Sequence, residues 1–141
     1  MGKRRKAREL AIQVLFHMEF SPGPPGEIFP LICETLEPPI SIVDYAKRLV
    51  LGIHENMEHI DRLLRKSSKN WRLERMSRVD RSILRLSVFE MLYMEEIPPK
   101  VAIDEAVELG KKYGTEDSGA FINGVLDNIY NNLNQEASVT G

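Results

Sequence analysis

The sequence has little of what disulfide-bonded, zinc-binding or membrane proteins need. Cys33 is the only cysteine among 141 residues, which excludes an intramolecular disulfide and a cysteine-rich zinc site. No apolar run approaches the ~20 residues of a membrane span, and no signal-peptide core follows the basic N-terminus. We therefore expect a single cytoplasmic domain in a reducing compartment, with no membrane segment.

Sequence motifs of enzymes are also lacking. There is no phosphate-binding glycine loop, no G-x-S-x-G element and no H-E-x-x-H zinc motif. His54 and His59 are five residues apart, which does not place them on one helical face to bind a metal. Cys33 has no identifiable base beside it and is interpreted as a structural thiol. The sequence thus predicts a non-catalytic protein with no metal and no other cofactor.

The charges are strongly segregated along a chain whose net charge is only −2. Residues 1–8 carry five basic side chains and no acid, and residues 62–85 carry nine basic side chains against two acids. The remaining segments are acidic. Basic clusters on an acidic chain are typical of proteins that bind a polyanion, usually nucleic acid. Solvated helix faces paired with nearby acids explain charge runs alone at least as well.

Hydrophobic periodicity predicts an all-α fold of about seven helices. Proline and glycine lie almost wholly between the periodic segments, and no alternation typical of β-strands persists. The predicted helices cover about residues 3–20, 27–36, 41–52, 55–66, 77–95, 98–113 and 118–133. The helix predicted at 77–95 is apolar around most of its circumference, which indicates a central position or an interface.

Glu90 is the unusual residue of this central helix, because it falls among Val79, Ile83 and Leu86. A carboxylate in such a place needs a partner if it is buried. Either an internal ion pair or a contact with a partner protein would provide one. Trp71, just before this helix, is interpreted as a core anchor rather than a base-stacking residue.

Phe16 lies opposite the apolar face of the first helix, beside Arg5 and Gln13 on the helical wheel. An aromatic ring beside a cation and an amide is suited to stacking and hydrogen bonding with single-stranded RNA. Packing under a second layer of helices would account for Phe16 equally well, and periodicity does not separate the two interpretations.

The second basic block contains arginines at every third residue, close to a helical stripe. The stripe consists of Arg72, Arg75, Arg78 and Arg81. It could contact RNA, an acidic partner, or Glu74 and Asp80 within its own helix.

Four segments, in order along the chain, resemble the NusB family of transcription antitermination proteins. They are residues 4–15 (RRKARELAIQVL), 79–86 (VDRSILRL), 99–109 (PKVAIDEAVEL) and 121–127 (FINGVLD). The resemblance spans about nine-tenths of the chain. It implies one NusB-like RNA-binding domain over residues 1–141. Two small helical bundles, at about 1–66 and 71–134, would be followed by a frayed tail at 135–141.

The resemblance also implies a function and partners. The protein is expected to bind the boxA segment of nascent RNA jointly with NusE, a small-subunit ribosomal protein that doubles as an elongation factor. That complex acts, with other Nus factors, on elongating RNA polymerase so that transcription passes terminators, notably in ribosomal RNA operons. Some members of the family self-associate, so a homodimer is compatible with this function.

Site residues follow by carrying the family contacts onto matching positions of this chain. RNA contacts are expected at Arg4, Arg5, Lys6, Arg8, Gln13 and Phe16 of the first helix, and at Glu116, Asp117, Ser118 and Phe121 where the last helix opens. Contacts with NusE are expected at Asp80, Arg81 and Phe89. Ala120 stands where the family often has a basic residue, so one phosphate contact is expected to be missing.

Two alternatives accompany this interpretation. The chain resembles, secondarily, the NusB-like domain that precedes some ribosomal RNA methyltransferases, although it ends at Gly141 without a methyl-donor domain. It could also be a helical protein–protein adaptor, in which the apolar central helix forms a homodimer and the basic blocks only promote solubility.

Overall fold

The computed structural model describes residues 2–68 and 72–140, with side chains described up to 134, and within these ranges it contains no β-strand. The described residues form seven α-helices and one 3-10 turn. The helices are α1 (Gly2–Phe20), α2 (Pro25–Leu36), α3 (Ile40–Glu55), α4 (Met57–Ser67), α5 (Arg78–Tyr93), α6 (Pro99–Tyr113) and α7 (Ser118–Thr140). The 3-10 turn, Leu73–Arg75, precedes α5. The predicted all-α fold is confirmed, and α7 continues beyond its predicted end at about 133.

Two groups of helices share the central helix α5. In the first group, α1 packs on α3 and both contact α2. In the second, α5, α6 and α7 pack on one another. Helix α4 contacts α3 of the first group and α5 and α7 of the second, so the division of the chain after residue 66 stays a prediction.

The core explains why α5 is apolar on most sides. Leu84, Leu86 and Val88 are almost completely buried, because α1, α3, α4, α6 and α7 all contact α5. The helix starts at Ser77, whose hydroxyl accepts a hydrogen bond from the backbone N–H of Asp80 at 3.0 Å. Such an N-cap satisfies one of the unpaired N–H groups at a helix start.

The break between α3 and α4 lies at Asn56, not at Gly52 as predicted. Gly52 sits inside α3, where Phe89 of α5 packs against it so closely that an added Cβ would lie 2.2 Å from the ring. The glycine therefore serves the close approach of two helices. No helix within residues 2–68 and 72–140 is both long and apolar enough to cross a membrane.

Candidate nucleic-acid interface

The N-terminal end of α1 presents basic side chains at the surface. Lys3, Arg4, Arg5 and Lys6 are exposed. The guanidinium of Arg4 lies 5.5 Å from the centroid of the Tyr45 ring. Arg5 binds Glu105 of α6 through two hydrogen bonds of 2.9 and 3.2 Å and still keeps 53% of its side chain exposed. Both arginines are thus positioned against neighbouring helices while remaining accessible to a ligand.

Arg8 corrects the predicted RNA site, because its side chain is buried. Its Nε lies 3.0 and 2.9 Å from the two carboxylate oxygens of Glu90. The hydroxyl of Tyr45 also donates to Glu90. Arg8 therefore links α1 to α5 inside the core, where its side chain is almost inaccessible from the surface. The predicted internal ion pair of Glu90 is confirmed.

This buried pair continues to the surface through Glu105. Its Oε1 lies 3.8 Å from Nη1 of Arg8, and the same carboxylate binds the exposed Arg5. Burial raises the pKa of the Glu90 carboxyl, against the opposing effect of the Arg8 charge. Burial and the neighbouring Glu90 raise the pKa of the Tyr45 hydroxyl as well. The position of Arg5 is consequently coupled to a charge cluster in the core.

Phe16 lies farther along α1, at the edge of a groove of about 650 Å³ between α1 and α2. The ring is 36% exposed, and its centroid is 5.1 Å from that of Phe20 in an edge-to-face arrangement. Gln13 is exposed and lines the same groove. Helix α2 borders Phe16 without covering it, and this geometry favours the stacking interpretation over the packing one.

The loop that opens α7 supplies the second predicted RNA segment. Glu116 and Asp117 are exposed, and Phe121 is half-buried. Ser118 is 2% exposed, and its Oγ accepts a hydrogen bond from the N–H of Thr115 at 2.9 Å. The predicted RNA contact at Ser118 is therefore corrected, because this hydroxyl stabilises the loop.

The residues predicted to contact NusE have different environments. Phe89 is buried, with its ring against Gly52 and 5.3 Å from the Tyr93 ring. Arg81 donates to both carboxylate oxygens of Glu19 and to the carbonyl of Leu73. Phe89 is thus buried in the core, which counts against a surface contact, whereas Arg81 is part-buried and its contact with NusE stays a prediction.

Asp80 differs, because it lines a pocket of about 350 Å³ together with Asp117 and Phe121. Its Oδ1 is buried and has no hydrogen-bond partner among the described residues. Asp80 is therefore the predicted NusE residue that borders a surface pocket, and its contact with NusE stays a prediction.

Arg65, Arg81 and Arg85 of the second basic block are paired with acids within the molecule. Arg85 donates to Asp61 and Glu19, and Arg65 donates to Glu74. The predicted helical stripe is wrong for Arg72 and Arg75, because they lie in the extended and 3-10 segments before α5. Lys69 and Trp71 lie outside the described residues.

The two predicted RNA segments belong to one continuous surface. Glu9 of α1 accepts hydrogen bonds from Lys112, at 2.6 Å, and from the hydroxyl of Tyr113, which directly precedes the loop before α7. At the other end of α1, the guanidinium of Arg78 lies over the Phe20 ring, and Arg75 lines the Asp80 pocket. We call this surface the basic–aromatic face. It comprises Arg5, Lys6, Gln13, Phe16, Phe20, Arg75, Arg78, Asp117 and Phe121.

Sequence reasoning missed Phe20 as a member of this face, and it left contact with RNA as one of three interpretations of Arg78. Phe20 lies four residues after Phe16, so the helical repeat alone places the two rings next to each other. The contact of Arg78 with Phe20 had no such signal, because the two residues are distant in sequence.

The geometry gives little support for a nucleophilic cysteine or for a metal site. Burial raises the pKa of the Cys33 thiol, which makes it a poorer nucleophile at neutral pH. Among residues 2–68 and 72–134, no three His, Cys, Asp or Glu side chains lie close enough together to hold a metal ion.

Solved structures with the same fold indicate the class of protein. One is Thermotoga maritima NusB, with a TM-score of 0.79, 39% identity and 89% of each chain covered. Another comes from a crystal structure of the antitermination factors NusB and NusE in complex with double-stranded RNA. It has a TM-score of 0.83 and 33% identity, and the match covers 93% of this chain and 98% of that one. Fold and surface together define a non-catalytic transcription antitermination factor.

Comparison of sequences makes the assignment specific. The NusB family model matches residues 5–131. The transcription antitermination protein NusB of Desulfatibacillum aliphaticivorans is 44% identical over 136 residues, covering 96% of this chain and 95% of that protein. The NusB protein of Desulforapulum autotrophicum is 49% identical over 131 residues, covering 92% of each. The chain belongs to the NusB family.

Proposed function

We propose that this protein binds boxA-type single-stranded nascent RNA together with the ribosomal protein NusE. The resulting complex acts with other Nus factors on elongating RNA polymerase, in the cytoplasm, so that ribosomal RNA operons are transcribed past terminators. The observation that carries this proposal is the placement of Arg5, Gln13 and Phe16 on one accessible side of α1.

The composition of this surface favours single strands over duplex RNA. A base stacks on an aromatic ring only when it is unpaired, whereas a duplex offers mainly phosphates and 2′-hydroxyls. The solved NusB–NusE relative holds double-stranded RNA, so both forms belong in a binding test.

Electrostatics predicts modest affinity for RNA alone. With Arg8 buried, Arg4, Arg5 and Lys6 are the predicted phosphate contacts that remain on α1. Three neutralised phosphates on a single strand give a slope of log K against log salt of about −2. A second RNA-binding protein on the same complex raises the overall affinity by joining two weak surfaces. NusE would fill this role, with Asp80 as the candidate contact on this chain.

The double variant Arg5→Ala plus Phe16→Ala tests the site. Losing one stacked base and one cation should weaken boxA binding by about tenfold or more. Fluorescence anisotropy of labelled boxA RNA, with and without NusE, measures this across a salt series. Scrambled RNA and a boxA duplex are the RNA controls.

A matched variant, Arg48→Ala plus Tyr93→Ala, removes an exposed arginine and an exposed aromatic ring outside the basic–aromatic face. It should bind boxA like the wild type. Circular dichroism checks that helix content is unchanged in both double variants. Undiminished affinity in the Arg5 and Phe16 variant would reject the proposed RNA site.

The exposed apolar side chains Leu31, Leu36 and Ile40 favour one alternative, a helical adaptor that self-associates. Light scattering in the presence and absence of RNA and NusE separates the two functions. A tight dimer that is indifferent to both ligands supports the adaptor.

A further inference from the structure

Phe20, at the C-terminal end of α1, has an unusual environment for a large apolar side chain. It is 58% exposed. The guanidinium carbon of Arg78 lies 4.4 Å from the ring centroid, and the Phe16 ring lies at its edge. Arg78 and Phe16 thus hold the Phe20 ring in place, while more than half of it stays exposed to solvent.

This arrangement has the chemistry of a nucleobase platform. Phenylalanine rings and arginine guanidinium planes are the surfaces on which unpaired RNA bases stack. Phe16 and Phe20 are separated by four residues of α1, a rise of about 6 Å along the helix axis. Bases stacked on the two rings would therefore belong to one short stretch of strand.

The surface also provides cations where the strand would continue. Arg72 and Arg75 are exposed on the segment before α5. Arg75 lines the pocket that Phe121 and Asp117 share. Arg81 and Arg85, in contrast, are bonded to Glu19. The path from Phe20 to the loop before α7 therefore passes exposed guanidinium groups.

We propose that Phe20 and Arg78 form a second base-stacking position for single-stranded RNA, and that Arg75 binds a phosphate between this position and the Phe121 pocket. This inference rests on the proposed RNA-binding function and deepens it. It gives part of the second basic block a role in RNA binding, and it bridges the two predicted RNA segments.

Two variants separate stacking from charge. Phe20→Leu keeps an apolar side chain but removes the flat ring, so boxA affinity should fall about fivefold while the salt dependence stays unchanged. Arg75→Gln should leave stacking intact and make the slope of log K against log salt shallower by about 0.7, the share of one phosphate. Tyr93→Leu is the control, because Tyr93 is an exposed ring at the opposite end of α5.

Position is tested with 2-aminopurine placed at one RNA position at a time. Its fluorescence changes when the base stacks. In the wild type, two positions close together in the strand should respond to binding. Phe16→Leu should abolish the response at one of them, and Phe20→Leu at the other.

The outcomes distinguish this inference from the function on which it rests. If Phe20→Leu binds RNA like the wild type and retains both responses, while Phe16→Leu loses one, the second position is wrong and the RNA-binding function stands. If Phe20→Leu weakens binding to NusE alone and not to RNA alone, the surface belongs to a protein contact and the inference is overturned. If the wild type does not distinguish boxA from scrambled RNA, the proposed function itself fails.

Discussion

Replacing Arg8 by methionine should destabilise the protein far more than its place in a basic run suggests. The variant keeps an apolar stem of similar length but leaves the Glu90 carboxylate buried without its counter-charge. Removing one partner of a buried ion pair costs about 3–5 kcal/mol. For a chain of 141 residues the entropy of unfolding is about 0.3 kcal/mol/K, so Tm should fall by about 10–17 °C.

The same variant should show a distinctive pH dependence. Without the opposing charge of Arg8, the pKa of the buried Glu90 carboxyl rises further, so this carboxyl takes up a proton at a higher pH than in the wild type. The neutral acid is less costly to bury, so the stability difference from the wild type should become smaller at the lower pH. Thermal unfolding followed by circular dichroism at several pH values measures this difference.

Lys6→Met is the matched control, because Lys6 is an exposed cation of the same helix. It should change Tm by only a degree or two. The double variant Arg8→Met plus Glu90→Leu replaces the whole pair by apolar side chains and should recover much of the lost stability. An Arg8→Met protein that is as stable as Lys6→Met would refute the reasoning.

Two further predictions concern α1, α3 and α7. Burial alone would raise the pKa of Glu19, but its hydrogen bond with Arg81 and the nearby cations outweigh burial and lower this pKa below 4.5. The stability that this pair provides should therefore be lost as the pH falls below 4.5. Glu19→Gln should flatten the dependence of Tm on pH in this acidic range, and an unchanged dependence would contradict the prediction. Gly52→Ala forces a Cβ against the Phe89 ring and should lower the free energy of unfolding, measured in urea, by about 1–3 kcal/mol. In the control Gly124→Ala the added Cβ meets nothing within 4 Å, so the free energy of unfolding should rise by about 0.5–1 kcal/mol. Equal effects of the two variants would contradict the close approach of Phe89 to Gly52.

The helices could be predicted from sequence because each buries one face in a common core. The predicted end of the third helix failed because Gly52 has a role in packing between helices rather than at a helix end. The helix predicted over residues 41–52 ends at Gly52, but in the structure Gly52 lies inside α3 and accommodates Phe89. That contact joins residues 37 positions apart, so a local pattern contains no trace of it.

The candidate site shows the same limit. Glu90 could be predicted to need a partner, because an acid among apolar positions is costly unless it is paired. Its partner could not be chosen, since Arg4, Arg5, Lys6 and Arg8 are adjacent and chemically alike. Only the packing of α1 on α5 separates the buried Arg8 from its exposed neighbours.

At the proposed RNA site, the contact between Arg5 and Glu105 would make binding selective among polyanions. A phosphate that approaches Arg5 must compete with a carboxylate already bound at 2.9 Å. A polyanion that offers only charge gains little binding free energy when its phosphate replaces Glu105 at Arg5. A strand that also stacks a base on Phe16 would gain additional binding free energy, enough to displace Glu105. With RNA bound as proposed, Glu105 would weaken non-specific binding more than specific binding, and the protein would dissociate readily from RNA strands that offer phosphates alone.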